Sequence, residues 1–125
     1  MKKKKWKLKE IRTHMGAFDF TVITIIGDYK EALKYVRWKC DDMETDFESF
    51  DKNYLPAGKC FFREGYVPII WIPRKPKTPR EYGTLAHEAL HAVYHMFDWA
   101  NLPMTLDTEE VMTHSMTHII ANSLK

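Results

Sequence analysis

The spacing of apolar positions changes along the chain, and the changes mark out its elements. Trp6, Leu8 and Ile11 give an imperfect alternation that predicts a first strand. His14-Met15-Gly16 reads as a turn. Phe18 to Ile26 (FDFTVITII) is a run of β-branched and aromatic residues, the signature of a central strand. Gly27-Asp28 stops it, and Asp28 is placed to cap a helix running to about Cys40, with Ala32, Leu33 and Val36 facing inward. Gly58 to Arg63 and Tyr66 to Ile72 flank Glu64-Gly65 and predict a hairpin. Pro68 and Pro73 cannot donate to a ladder, so the second of these strands is expected to have an exposed edge.

The clearest helix start follows. Thr78 can cap, Pro79 suits the first helical position, and Glu81 stands where a capping box needs it. This helix should run to about Trp99, with Pro103 beyond its end. A last helix is expected from Thr105 or Asp107 to about Ser123. The order strand, strand, helix, two strands, helix, helix predicts an α+β fold, a small antiparallel or mixed sheet with helices packed on it. There is no repeat, low-complexity stretch or interdomain linker, so residues 1–125 are expected to form one domain.

Composition narrows the class. The 125 residues are 45% hydrophobic and 14% aromatic, which excludes wholesale disorder. No apolar run approaches the roughly 20 residues needed to span a bilayer, so no membrane partner is expected. The basic start is not followed by an apolar stretch, which argues against a signal peptide. Cys40 and Cys60 make no CxxC and permit at most one bridge; they are expected to be reduced thiols of a cytoplasmic protein.

The net charge of +2 hides an asymmetry. Residues 1–15 carry seven Lys/Arg and one Glu, whereas the remainder is acidic, at −4. Residues 1–5 read as a mobile basic arm, the one feature that would suit nucleic acid. Asp41 to Asp51 holds six acidic residues and no basic one, an expected exposed loop or short helix. It lacks the glycine and the acidic spacing of a calcium loop.

Candidate chemistry is concentrated in the capped helix, which contains His87-Glu88-Ala89-Leu90-His91, a full HExxH. Residues four apart share a helix face, so both imidazoles can reach one ion. Glu88 is set to take a proton from a water held by that ion. A shuffled chain of this composition would contain the pattern in roughly 2% of cases, so it is specific without being conclusive. A catalytic zinc site typically adds a third protein ligand. The metzincin continuation is absent, since it would need glycine at Tyr94 and histidine at Phe97. Glu109 and Glu110, 18 and 19 positions after His91, offer a glutamate from the next helix.

These elements resemble the small zincin-type metallopeptidases of the gluzincin kind, and in particular minimal, often phage-encoded members. The likeness rests on Ile69-Ile70-Trp71-Ile72-Pro73, Thr84-Leu85-Ala86-His87-Glu88-Ala89-Leu90-His91-Ala92 and Asp107-Thr108-Glu109-Glu110. It covers a little under half the chain. The resemblance implies a zincin-like domain in the cytoplasm (the host's, for a phage-encoded chain) that hydrolyses a peptide or protein substrate. It implies Zn2+ bound by His87, His91 and Glu110, with Glu88 as general base. His114 stands one turn beyond Glu110. It is a rival ligand ahead of Glu109, or else a residue that orients a ligand or stabilises an oxyanion. The competing expectation is a zinc-binding structural or interaction domain with little or no catalysis.

Among the other residues, His95 reads as a partly exposed histidine one turn beyond His91. Ala92, Val93, Met96, Phe97, Met112, Met116, Ile119 and Ile120 are expected in the core. Trp71 and Tyr66 can either pack or line a cleft.

Overall fold

The computed structural model describes residues 6–40 and 56–125. The expected basic arm and acidic block fall outside the described residues. Among those described are four strands: β1 (Leu8–Met15), β2 (Phe20–Gly27), β3 (Lys59–Phe61) and β4 (Ile69–Ile72). The helices are α1 (Tyr29–Lys39), α2 (Pro79–Trp99) and α3 (Glu109–Ser123), so the fold is α+β. None of these helices is long and apolar enough to cross a membrane.

The strands form one mixed sheet in the order β1-β2-β4-β3. β1 and β2 are antiparallel, with Met15 opposite Phe20. The expected turn at His14-Met15-Gly16 therefore begins later, as a 3-10 turn over Gly16–Phe18 that closes on Asp19 in the left-handed region (φ 49°). β2 and β4 are parallel, and β3 returns antiparallel to β4. This corrects one expectation: β4 lies inside the sheet, and β3 forms the edge. The prolines are tolerated because they flank the ladder. Pro68 precedes Ile69 and offers its carbonyl to the Ile23 amide (3.1 Å), and Pro73 follows Ile72.

Alternation along the central strands divides the core in two. Ile70 and Ile72 of β4, with Val22 of β2, face α2 and α3, where they meet Leu85, Ala89, Val93, Met96, Phe97 and Ile119. Ile69 and Trp71, with Ile23 and Ile25, face α1 and meet Ala32, Tyr35 and Val36. Both faces are covered, which is why β2 reads as an unbroken apolar run. Trp71 is fully buried, and its indole N–H donates to the Gly27 carbonyl (2.9 Å), so it is packing rather than cleft wall.

The two helices on the shared face divide it. α2 lies towards β4 and β3, with Phe62, just past β3, stacked on His95. α3 lies towards β1 and is pinned by hydrogen bonds. The Thr24 and Ser123 hydroxyls are 2.8 Å apart, and the Asn122 amide donates to the Thr13 hydroxyl (3.3 Å).

Candidate metal centre

α2 starts where its capping chemistry requires. The Thr78 hydroxyl accepts from the Glu81 amide (3.2 Å), and the Glu81 carboxylate accepts from the amides of Thr78 and Lys77 (3.2 Å each). Glu81 also pairs with Arg74. Burial of Leu85, Ala89, Ala92, Val93 and Met96 then fixes the helix rotation. That rotation leaves His87 and His91 exposed at the surface and turns Glu88 inward.

The imidazoles converge. His87 Nε2 and His91 Nε2 are 3.2 Å apart, with ring centroids 4.8 Å apart and planes nearly perpendicular. Two nitrogens each about 2.0–2.1 Å from a tetrahedral ion stand about 3.4 Å apart, so the pair fits one edge of such a site. A carboxylate oxygen of Glu88 completes a group whose ligand atoms all lie within 4.8 Å of one another. Among the described residues this is the one such group.

Glu88 is only 5% exposed. Its burial raises the carboxyl pKa above the usual carboxylate range, while the positive charges of His87, His91 and Lys59 pull partly the other way. A carboxylate held at raised basicity beside two imidazoles that could hold a metal ion is suited to accepting a proton.

Three nearby residues had no motif to announce them. Gly58 lies against Thr84 and the Glu88 side chain so closely that a Cβ there would stand 2.7 Å from the Thr84 methyl and 3.3 Å from Glu88 Cγ. Lys59 reaches Glu88 electrostatically. Phe62 stacks on His95, with ring centroids 3.5 Å apart and planes 11° from parallel. His95 is half-buried there, and burial lowers its pKa, as does the His91 charge. A glycine ahead of an aromatic strand was the one legible signal.

The group of His87, Glu88 and His91 does not include Glu110, the expected third ligand. Glu110 and His114 do share a face, and Glu110 Oε2 lies 3.3 Å from His114 Nε2. Both side chains are more than four-fifths exposed, and with His118 they line a groove against His14 and the Gly16–Phe18 turn. The cause is the packing of α3. Val111, Met112, Ser115, Met116 and Ile119 turn to the core, and the helix sits on the β1 side. Its polar face, with Glu110 and His114, therefore borders the end of β1 and the turn that follows it. Glu109 instead borders a separate groove with Tyr94 and Phe97.

Cys40 and Cys60 are free thiols. No family model matches the chain, and neither a curated protein nor a solved structure is found similar to it.

Proposed function

We propose that the protein is a zinc-dependent peptidase whose centre is His87, Glu88 and His91. The observation that carries this reading is the 3.2 Å approach of the two Nε2 atoms, next to an inward-turned glutamate of raised basicity. Zinc bound there would supply a Lewis acid for a peptide carbonyl and would acidify a water molecule. His87 and His91 would hold the ion. Glu88 takes the proton of the attacking water at its carboxylate and returns it to the leaving amine. Burial keeps Glu88 out of bulk water and so favours its proton-accepting role. β3 has a single neighbour, β4, among the described residues, and it runs beside α2. An extended peptide would add to that edge by main-chain hydrogen bonds.

Metal analysis and one substitution test the reading. The purified chain should hold one zinc, and His87→Ala/His91→Ala should hold none. Glu88→Gln should keep zinc and lose hydrolysis by about 10²–10⁴-fold. Turnover in Glu88→Gln equal to that of the parent would sink the assignment. If Glu88→Gln instead loses the metal, Glu88 is a ligand. The site then belongs to a structural zinc domain, the second reading, for which the proximity of Glu88 to both imidazoles speaks.

A further inference from the structure

Two elements lead away from Glu88 side by side. Gly58, at the head of β3, packs on Thr84 and Glu88, and Phe62, just past its end, stacks on His95. β3 and α2 therefore run in the same direction, with His87 and His91 on the exposed face of α2. Asp98 follows His91 by seven residues, which returns it to nearly the same face about 10 Å further along the axis.

At that end of α2, Asp98 and Trp99 border a cavity of about 530 Å³. Its walls include Phe62, Tyr66 and Trp99, the last 60% exposed although it is a large aromatic. Its rim carries the carboxylates of Asp19, Glu64 and Asp98; no Lys or Arg is among the lining residues, although the Arg63 guanidinium stands over the Tyr66 ring, 5.5 Å from its centroid, which leaves Trp99 as the exposed aromatic. One cation near Asp19 is conditional: His14 Nε2 lies 3.5 Å away and is charged only when protonated. Aromatic faces with carboxylates around them attract a cation with an apolar stem, because the stem packs on the rings while the charged head meets both quadrupole and anion.

We propose that this cavity is a subsite for a basic side chain, arginine or lysine, about three residues from the scissile bond of a peptide substrate. The placement rests on the peptidase reading. An extended peptide advances about 3.3 Å per residue, so three residues cover the distance from His91 to Asp98. The cavity itself is independent of zinc and of Glu88 chemistry, and its ligand can be tested without turnover.

The experiment uses the full chain carrying Glu88→Gln, so that no peptide is consumed. Dye-labelled Ala/Ser decapeptides, identical except for one central Arg, norleucine or Glu, are titrated by fluorescence anisotropy. The Arg peptide should bind about 10-fold tighter than the norleucine peptide, and the Glu peptide weakest. Combining Asp19→Asn, Glu64→Gln and Asp98→Asn should reduce the Arg preference to below about 2-fold, with the circular dichroism spectrum unchanged. All three sites are exposed, and asparagine tolerates the left-handed backbone of Asp19. An Arg preference that survives the triple substitution, or none in the parent, overturns the proposal. A chain without zinc or hydrolysis would defeat the peptidase reading and leave this binding result readable.

Discussion

Gly58→Ala places one methyl group between the sheet and α2, and the structure fixes what it meets. The new Cβ would lie 2.7 Å from the Thr84 methyl and 3.3 Å from both Glu88 Cγ and the Trp71 carbonyl oxygen. The carbonyl belongs to an interior strand and cannot retreat. Thr84 cannot easily rotate, because it is β-branched and its hydroxyl donates to the Arg80 carbonyl (3.1 Å). The strain therefore passes to α2 at Thr84 and Glu88. Overpacking of this kind costs about 1–3 kcal/mol, offset by roughly 0.4–1 kcal/mol from a stiffer unfolded chain. For a domain of this size the net loss corresponds to a fall in melting temperature of roughly 2–10 °C. His87 and His91 ride on the same helix and move together, so zinc affinity should hold. Glu88 is displaced by a few tenths of an ångström relative to the strand that would carry a substrate. As a 1 Å misplacement can cost about 10²-fold, turnover should fall by about 3- to 10-fold. Gly83→Ala is the control: it has open space around it inside α2 and should stabilise by up to about 1 kcal/mol. Differential scanning calorimetry, zinc titration and peptide hydrolysis read the three quantities. Gly58→Ala as stable and as active as the parent would refute the close-packing argument.

Glu110→Ala should leave zinc affinity nearly unchanged, measured by competition with a chelator. A loss beyond the roughly 10–100-fold typical of groups that merely orient a ligand would make Glu110 a direct ligand after all. Tyr35→Phe should destabilise at pH 7 by about 1–2 kcal/mol in urea unfolding, because the Tyr35 hydroxyl donates to Glu10 Oε2 (2.7 Å). Burial alone would raise the Glu10 pKa, but hydrogen bonds from Tyr35 and Arg12 outweigh it and hold the carboxyl below its ordinary value. That contribution is present above the unfolded carboxylate pKa and is lost as pH falls through the folded one. The gap between parent and Tyr35→Phe should therefore narrow in acid, and a gap that widens would contradict the assignment. Desolvation, followed by the Glu88 charge, pushes the Cys60 thiol up to about 12, and Cys40 is buried. Neither should react with iodoacetamide at pH 8 in the folded chain, and both should react in urea; rapid labelling of the folded chain would show the β3 side of α2 to be open.

Much of the fold is legible because it is locally determined. Thr78, Pro79 and Glu81 set the start of α2 by contacts three residues apart, and the hydroxyl and carboxylate bonds fall where that spacing puts them. Asp28 caps α1 through the Glu31 amide (3.3 Å) for the same reason. Strand order is different, since it depends on pairings between distant segments. Pro68 and Pro73 were signals for an edge, yet the ladder of β4 spans only Ile69–Ile72 and fits between them, leaving the strand free to pair on both sides. The edge fell to β3, whose three residues carry no proline at all.

The same distinction separates the parts of the candidate site. His87 and His91 are one turn apart on one helix, so their convergence follows from backbone geometry once α2 exists. The inward turn of Glu88 follows from the apolar stripe that contains Leu85, Ala92 and Met96. A ligand from another helix has no such guarantee. Its position depends on which side of α2 the second helix packs and how that helix is rotated. Both are settled for α3 by remote contacts, the Thr24–Ser123 and Thr13–Asn122 hydrogen bonds and the burial of Ile119. The 19-residue offset of Glu110 from His91 carries none of that information. Breaking those contacts offers a way to ask whether α3 is held away from the histidines by packing. Thr24→Val with Ser123→Ala replaces a buried hydroxyl pair by apolar groups of similar size, which should cost little stability. With the Thr24–Ser123 contact removed and only the Thr13–Asn122 one left, α3 gains freedom to rotate about Ile119. If rotation of α3 governs access of Glu110 to the metal, zinc affinity in this double variant should become sensitive to Glu110→Ala, while in the parent it is not. Insensitivity in both backgrounds would place Glu110 outside the metal site whatever the rotation of its helix.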